Sequence, residues 1–255
     1  QVQGSAKLNT DATELSPVGP YIVTVEDSSL SSSNYNFAFR NGLLNIGKAT
    51  ITVTAENKTR VYGDPNPDFT YQYTGFKNGE DSLTINKTGQ PVLTTTAIGT
   101  TAVSNVAITT SVTGMSSQNY LFTAVNGTLA ITKAPLTIAA DNKARIYGDP
   151  NPALTVTYTG FKNNEVRATS DLSGNFTIST AAVATTSIGN YPITVVNPTS
   201  GNFLKSNNYS FTFNNGTIII NRDTIIVTAA NKTKVYGDPL PNFTSTYSGF
   251  ANGET

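Results

Sequence analysis

The chain has 255 residues with no His, no Cys and no Trp, and its 16 Lys plus Arg balance 16 Asp plus Glu. Without His or Cys it lacks the ordinary general base near neutral pH, thiol nucleophiles and the usual zinc and copper ligands. Zero net charge argues against electrostatic nucleic-acid binding and against a polybasic membrane patch.

The composition favours strands. Thr, Asn, Ser, Val, Ile, Tyr and Phe dominate, with Gly and Pro as punctuation, and strong helix formers are scarce. No apolar run is long enough to cross a membrane as a helix. No leader segment is visible, and residues 1–4 read as the start of a piece cut from a longer chain. With no cysteine, stability must come from packing alone.

Along the chain, residues 50–55 alternate apolar and hydroxyl side chains, the pattern of a half-buried strand, and residues 69–73 repeat it. Residues 79–83 and 164–168 are the only helix-like stretches, a turn or two each. Asn126-Gly127 and Asn215-Gly216 predict hairpin turns, since both residues tolerate positive φ. The apolar positions are odd in residues 129–133 and even in residues 136–140. This slip of phase near Ala134-Pro135 predicts either a bulge or a crossing into the next module.

The sequence is internally repeated. Val61-Tyr62-Gly63-Asp64-Pro65 recurs as Ile146-Tyr147-Gly148-Asp149-Pro150 and as Val235-Tyr236-Gly237-Asp238-Pro239. Tyr to Tyr, the spacings are 147 − 62 = 85 and 236 − 147 = 89. The pairs Asn34-Tyr35, Asn119-Tyr120 and Asn208-Tyr209 keep the same offsets, so the repetition is genuine. Gly75-Phe76, Gly160-Phe161 and Gly249-Phe250 are a third marker. No Gly/Ser-rich linker separates the copies, so connections should be short and stiff, and a monomeric, elongated array is expected.

Two registers are open. Cutting at 80/81 and 165/166 gives three whole modules, 1–80, 81–165 and 166–255. Cutting near 48 and 134 gives complete repeats 49–134 and 135–223 with half repeats 1–48 and 224–255. The first is favoured, because a lone half repeat buries little surface. The expected fold is mainly β: tandem small antiparallel modules, β-sandwich-like with room for one short helix each. An α+β, β-grasp-like module is the alternative.

The motifs Val/Ile-Tyr-Gly-Asp-Pro and Gly-Phe-Lys/Ala-Asn, the segment 188–195, Asn119-Tyr120 through Leu129, and Lys133-Ala134 occur in fixed order. In this the chain resembles the MBG domains of the YGX type, repeat domains of large bacterial surface proteins and adhesins. The copies vary at Ile98-Gly99-Thr100-Thr101-Ala102, which lacks a Tyr-Pro pair, and at Arg222-Asp223, which replaces Lys-Ala. The resemblance implies an extracellular stalk or adhesion role at the cell surface or in secreted material, and it supplies no catalytic residues.

The residues themselves favour structure over chemistry. Tyr62, Gly63, Asp64, Pro65 and their counterparts Tyr147, Gly148, Asp149, Pro150 and Tyr236, Gly237, Asp238, Pro239 read as a turn: Gly admits positive φ, Pro presets its own, and Asp caps. A calcium site at the three Asp would need further carboxylates, but Glu56 and Asp141 align with Ala230, and Asp68 with Ala153. Phe76, Phe161 and Phe250 read as core or inter-module plugs. No catalytic residue, cofactor or metal is expected. The expected partners are neighbouring modules of the same chain, with a glycan or surface protein as the rival reading, and neither nucleic acid nor membrane insertion.

Overall fold

The computed structural model describes residues 1–255 and contains strands and turns but no helix. The chain forms two compact units. One comprises residues 1–60, 65–98 and 104–131; the other comprises 61–64, 99–103 and 132–255.

In the first unit, β1 (Ala6–Thr10), β2 (Gly19–Asp27) and β3 (Gly42–Ile46) form an antiparallel meander. Then follow β4 (Ala49–Ala55), β5 (Lys58–Val61), β6 (Tyr71–Thr74), β7 (Val92–Thr94), β8 (Asn105–Ser111), β9 (Tyr120–Val125) and β10 (Gly127–Thr132). They make two sheets, β6-β4-β9 and β5-β10-β8-β7. The alternation of residues 50–55 has its expected result: Ile51, Val53 and Ala55 are buried while the Thr residues between them are half-exposed. Ile51 and Val53 pack with Ile85, Tyr120 and Phe122. Each such side chain contributes roughly 1.5–3 kcal/mol when taken from water.

The second unit repeats the plan with β11 (Ala134–Ala140), β12 (Lys143–Ile146), β13 (Val156–Thr159), β14 (Thr177–Thr180), β15 (Gly189–Val196), β16 (Tyr209–Asn214) and β17 (Gly216–Asn221). The sheets β13-β11-β16 and β12-β17-β15-β14 face one another across a core of Ile138, Ile193, Val195, Leu204, Ile218 and Ile220. This is a small β-sandwich. Both sheets hold antiparallel pairs, but β11 runs parallel to β16 and β12 parallel to β17. An antiparallel pair, β18 (Ile226–Ala229) and β19 (Ser245–Ser248), ends the chain.

Strand pairing bears on the register of the repeats. β4 pairs with both β6 and β9, so the cut at 80/81 passes between hydrogen-bonded partners, as the cut at 165/166 does between β11 and β16. By the repeat offset, β1–β3 occupy the places of β7, β8 and β10 one repeat earlier, and β18–β19 those of β11 and β13 one repeat later. Both half repeats form sheets of their own.

Two local expectations are corrected, and a third is decided in favour of one of its two alternatives. Residues 79–83 and 164–168 are turns, not helix. Asp81 Oδ1 accepts from the amides of Leu83 and Thr84, closing a single capped turn, and Ser170 N reaches Val166 O for one turn only. The Asn-Gly pairs do not make hairpins either, because β9 and β10 lie in different sheets. Gly127 is required by crowding: a Cβ there would stand 2.8 Å from Ala55 O and 3.0 Å from Glu56 O. Asn126 Oδ1 accepts from Thr110 N at 2.9 Å. Finally, the phase slip near Ala134-Pro135 is not a bulge. The chain leaves one sheet after Thr132 and enters another at Ala134, so both apolar sets are buried, Leu129 and Ile131 in β10 and Leu136 and Ile138 in β11.

Candidate functional site: the Tyr-Gly-Asp turn and its receptor

The turn forms the same way three times. Asp64 N, Asp149 N and Asp238 N donate to the carbonyls of Val61, Ile146 and Val235 at 3.1, 3.2 and 3.2 Å. Gly63, Gly148 and Gly237 hold φ of 84°, 91° and 91°, the left-handed value that the third residue of a type II turn needs. The prolines that follow, Pro65, Pro150 and Pro239, are exposed.

An arginine two residues before the Tyr fixes the loop. Arg145 is buried; its Nε donates to Asn151 Oδ1 at 2.9 Å, one Nη to Ile146 O at 3.0 Å, and the other to Val183 O. Arg60 is buried in the same manner, with Nε on Asn66 Oδ1 at 2.8 Å and Nη2 on Ile98 O at 2.6 Å. A buried charge is tolerable only when its donors are satisfied, and here carbonyls and an amide do so. The third copy substitutes Lys234, which is exposed and donates to Asp238 O at 3.1 Å.

In the second unit the turn at residues 61–64 seats against the Gly-Phe-Lys-Asn loop of the following repeat. Tyr62 is buried and donates to Glu165 Oε1 at 2.5 Å. Tyr209 donates to the other oxygen, Oε2, at 2.7 Å, and accepts from Lys162 N at 3.0 Å. The Tyr62 and Tyr209 rings meet edge to face, 5.6 Å apart, and Phe161 meets Tyr209 the same way at 5.5 Å. Lys162 Nζ pairs with Asp64 Oδ1 at 2.8 Å, and the Lys162 stem lies over Gly63. Burial, then the Glu165 carboxylate, raises both tyrosine pKa values above the ordinary phenol range.

The next turn uses the same contacts with fewer partners. Tyr147 donates to Glu254 Oε1 at 2.5 Å, and Gly148 lies against the Cβ of Ala251, which stands where Lys162 stood. Asp149 therefore faces no lysine at that position. Phe250 is half-buried beside Tyr147 and Glu254 in a shallow cleft. Phe76 is half-buried against Tyr73, and Phe161 against Tyr158 and Tyr209. Tyr236 is fully exposed, and Gly237 and Asp238 are exposed.

The glutamates and the arginines were not singled out from the sequence, although a signal existed. Glu80, Glu165 and Glu254 each follow a motif Tyr by 18 residues. The bonded partner is the glutamate one repeat further on, 103 residues from Tyr62 and 107 from Tyr147. No group of three or more His, Cys, Asp or Glu residues converges anywhere in the structure.

These features define tandem all-β sandwich modules in which two of the three Tyr-Gly-Asp turns seat against a loop of the following repeat. The model of the MBG domain (YGX type) matches residues 51–130, 136–219 and 225–255, and the chain belongs to that family. No curated protein matches the sequence.

Proposed function

We propose that this chain is a non-enzymatic spacer: a stretch of stalk in a large secreted or surface-attached adhesin-like protein, holding a distal domain away from its anchor. The observation that carries the reading is the Tyr62–Glu165–Tyr209 clasp, because it uses a motif repeated in every copy to join a turn to the next repeat. A residue committed to such a contact is withdrawn from ligand binding. The linkers that would make the array floppy are missing from the sequence. Neighbouring modules are the partners, and the array needs neither cofactor nor metal.

The folding repeat in this proposal is the register of residues 49–132 and 134–221, which keeps every ladder of each sandwich intact. A glycan and surface-protein array screened with the fragment tests the reading. No specific binding is expected. A selective hit abolished by substitutions in the module loops would replace the stalk with a binding module, for which repetition supplies multivalency.

A further inference from the structure

The first and last strands of the second repeat lie in one parallel ladder. Residues 134–139 of β11 pair with 209–214 of β16, and residues 143–146 of β12 with 218–221 of β17. Both runs keep one offset, 209 − 134 = 221 − 146 = 75, although the chain changes sheet between them. At the change of sheet, Asn142 Oδ1 accepts from Thr217 N at 2.8 Å. The ladder is closed at its two ends by Ala134 N to Asn208 O and Tyr147 N to Asn221 O, both 2.9 Å. The first unit repeats the design: residues 49–54 run parallel to 120–125, and Asn57 Oδ1 accepts from Thr128 N at 2.8 Å.

The chain enters this ladder at Ala134, with only Lys133 between it and the end of β10, and leaves it at Asn221. These are opposite ends of a parallel pair. Tension along the chain therefore pulls one segment back from its start and the other forward from its end. The two must slide past one another lengthwise, so the evenly spaced ladder bonds share the load. Loaded from one end, the same bonds would break in turn. The pulled strands are also inner strands: β11 lies between β13 and β16, and β17 between β12 and β15. Leu136, Ile138 and Ile218 are fully buried on them, so water does not reach the ladder from the core side. We propose that each complete repeat resists tension through this shear geometry, its first and last strands forming the mechanical lock. That such tension acts on the chain rests on the stalk reading; the geometry does not.

Single-molecule force spectroscopy of the whole fragment tests it. The chain has no cysteine, so pairs of substitutions set the pulling points. Lys133→Cys with Arg222→Cys loads opposite ends of the ladder, and Lys133→Cys with Asn207→Cys loads one end and peels it; all three positions are exposed. The rupture force in the first geometry is expected to exceed that in the second by roughly threefold or more, because the bonds share the load only in the first. Asn142→Ala should lower the first force and leave the second unchanged, since peeling begins at Ala134. Pulled by its two ends, the fragment without substitutions should show two ruptures near the higher force, each lengthening the chain by about 250–270 Å, the extended length of a repeat less its folded span. Equal forces in the two geometries, or end-pulled extension without ruptures at the higher force, would overturn the lock. A specific ligand found in the array screen would instead overturn the stalk reading and leave the force ratio standing.

Discussion

Tyr62 and Tyr209 lie 147 residues apart in the chain, yet their rings meet at 81° and their hydroxyls share the two oxygens of Glu165. The contact places a turn from one repeat in the aromatic cluster of the next. What it contributes can be measured, because the chain holds three versions of the turn in three degrees of burial.

Substituting the three tyrosines by Ala should reproduce that gradient. Tyr62→Ala should cost about 3–4 kcal/mol, as loss of a buried aromatic does, Tyr147→Ala about half of that, and Tyr236→Ala close to nothing. Denaturant midpoints at low protein concentration read all three. Equal effects at 62 and 236 would separate stability from the clasp.

Gly63→Ala should be worse than Gly237→Ala. Both force an L-residue to positive φ, which costs roughly 1–2 kcal/mol. Only at Gly63 would the new Cβ stand 2.3 Å from Lys162 Cβ, too near the backbone for the side chain to swing away. The two variants, compared by thermal melting, should differ clearly in Tm.

Arg145→Lys should destabilise by about 2–3 kcal/mol, because a single ammonium cannot replace the bonds to Ile146 O, Val183 O and Asn151 together. Lys234→Arg, at the exposed third position, should be neutral. Chemical denaturation of the two variants checks the contrast.

The clasp should fail in alkali. Burial, reinforced by Glu165 and Glu80, raises the pKa of Tyr62, Tyr209 and Tyr120, and burial pushes Tyr73 up to about 12. A folded pKa above the unfolded one gives stability that is complete below ~10 and lost as pH rises through the folded values. Absorbance at 295 nm should show some of the twelve tyrosines ionising late, together with loss of structure. Glu165→Gln should bring part of that late titration to lower pH. Identical curves for the variant and wild type would refute the coupling.

Calcium should leave stability unchanged. Asp64 is occupied by Lys162, and no acidic cluster accompanies it. A melting shift above ~5 °C between calcium and chelator would show binding to the folded state.

Much of the architecture was legible in the residues. Period-two alternation at residues 50–55 and 136–140 specifies which face is buried, because side chains on a strand point alternately to either side. The motif spacings gave the repetition, and the Gly within each Tyr-Gly-Asp-Pro gave the turn, since its positive φ is a local property. Pairing is not local. Asn126-Gly127 reads as a hairpin from dihedral preference, and only the tertiary structure shows the two strands diverging to separate sheets, with Gly127 there to let Ala55 O approach. The same holds for the clasp: Tyr62 has a glutamate 18 residues away at Glu80, but binds the one at Glu165. Sequence periodicity gives equal weight to both partners. The choice between them comes from the packing of the second unit, which holds residues 61–64 against the loop that carries Glu165.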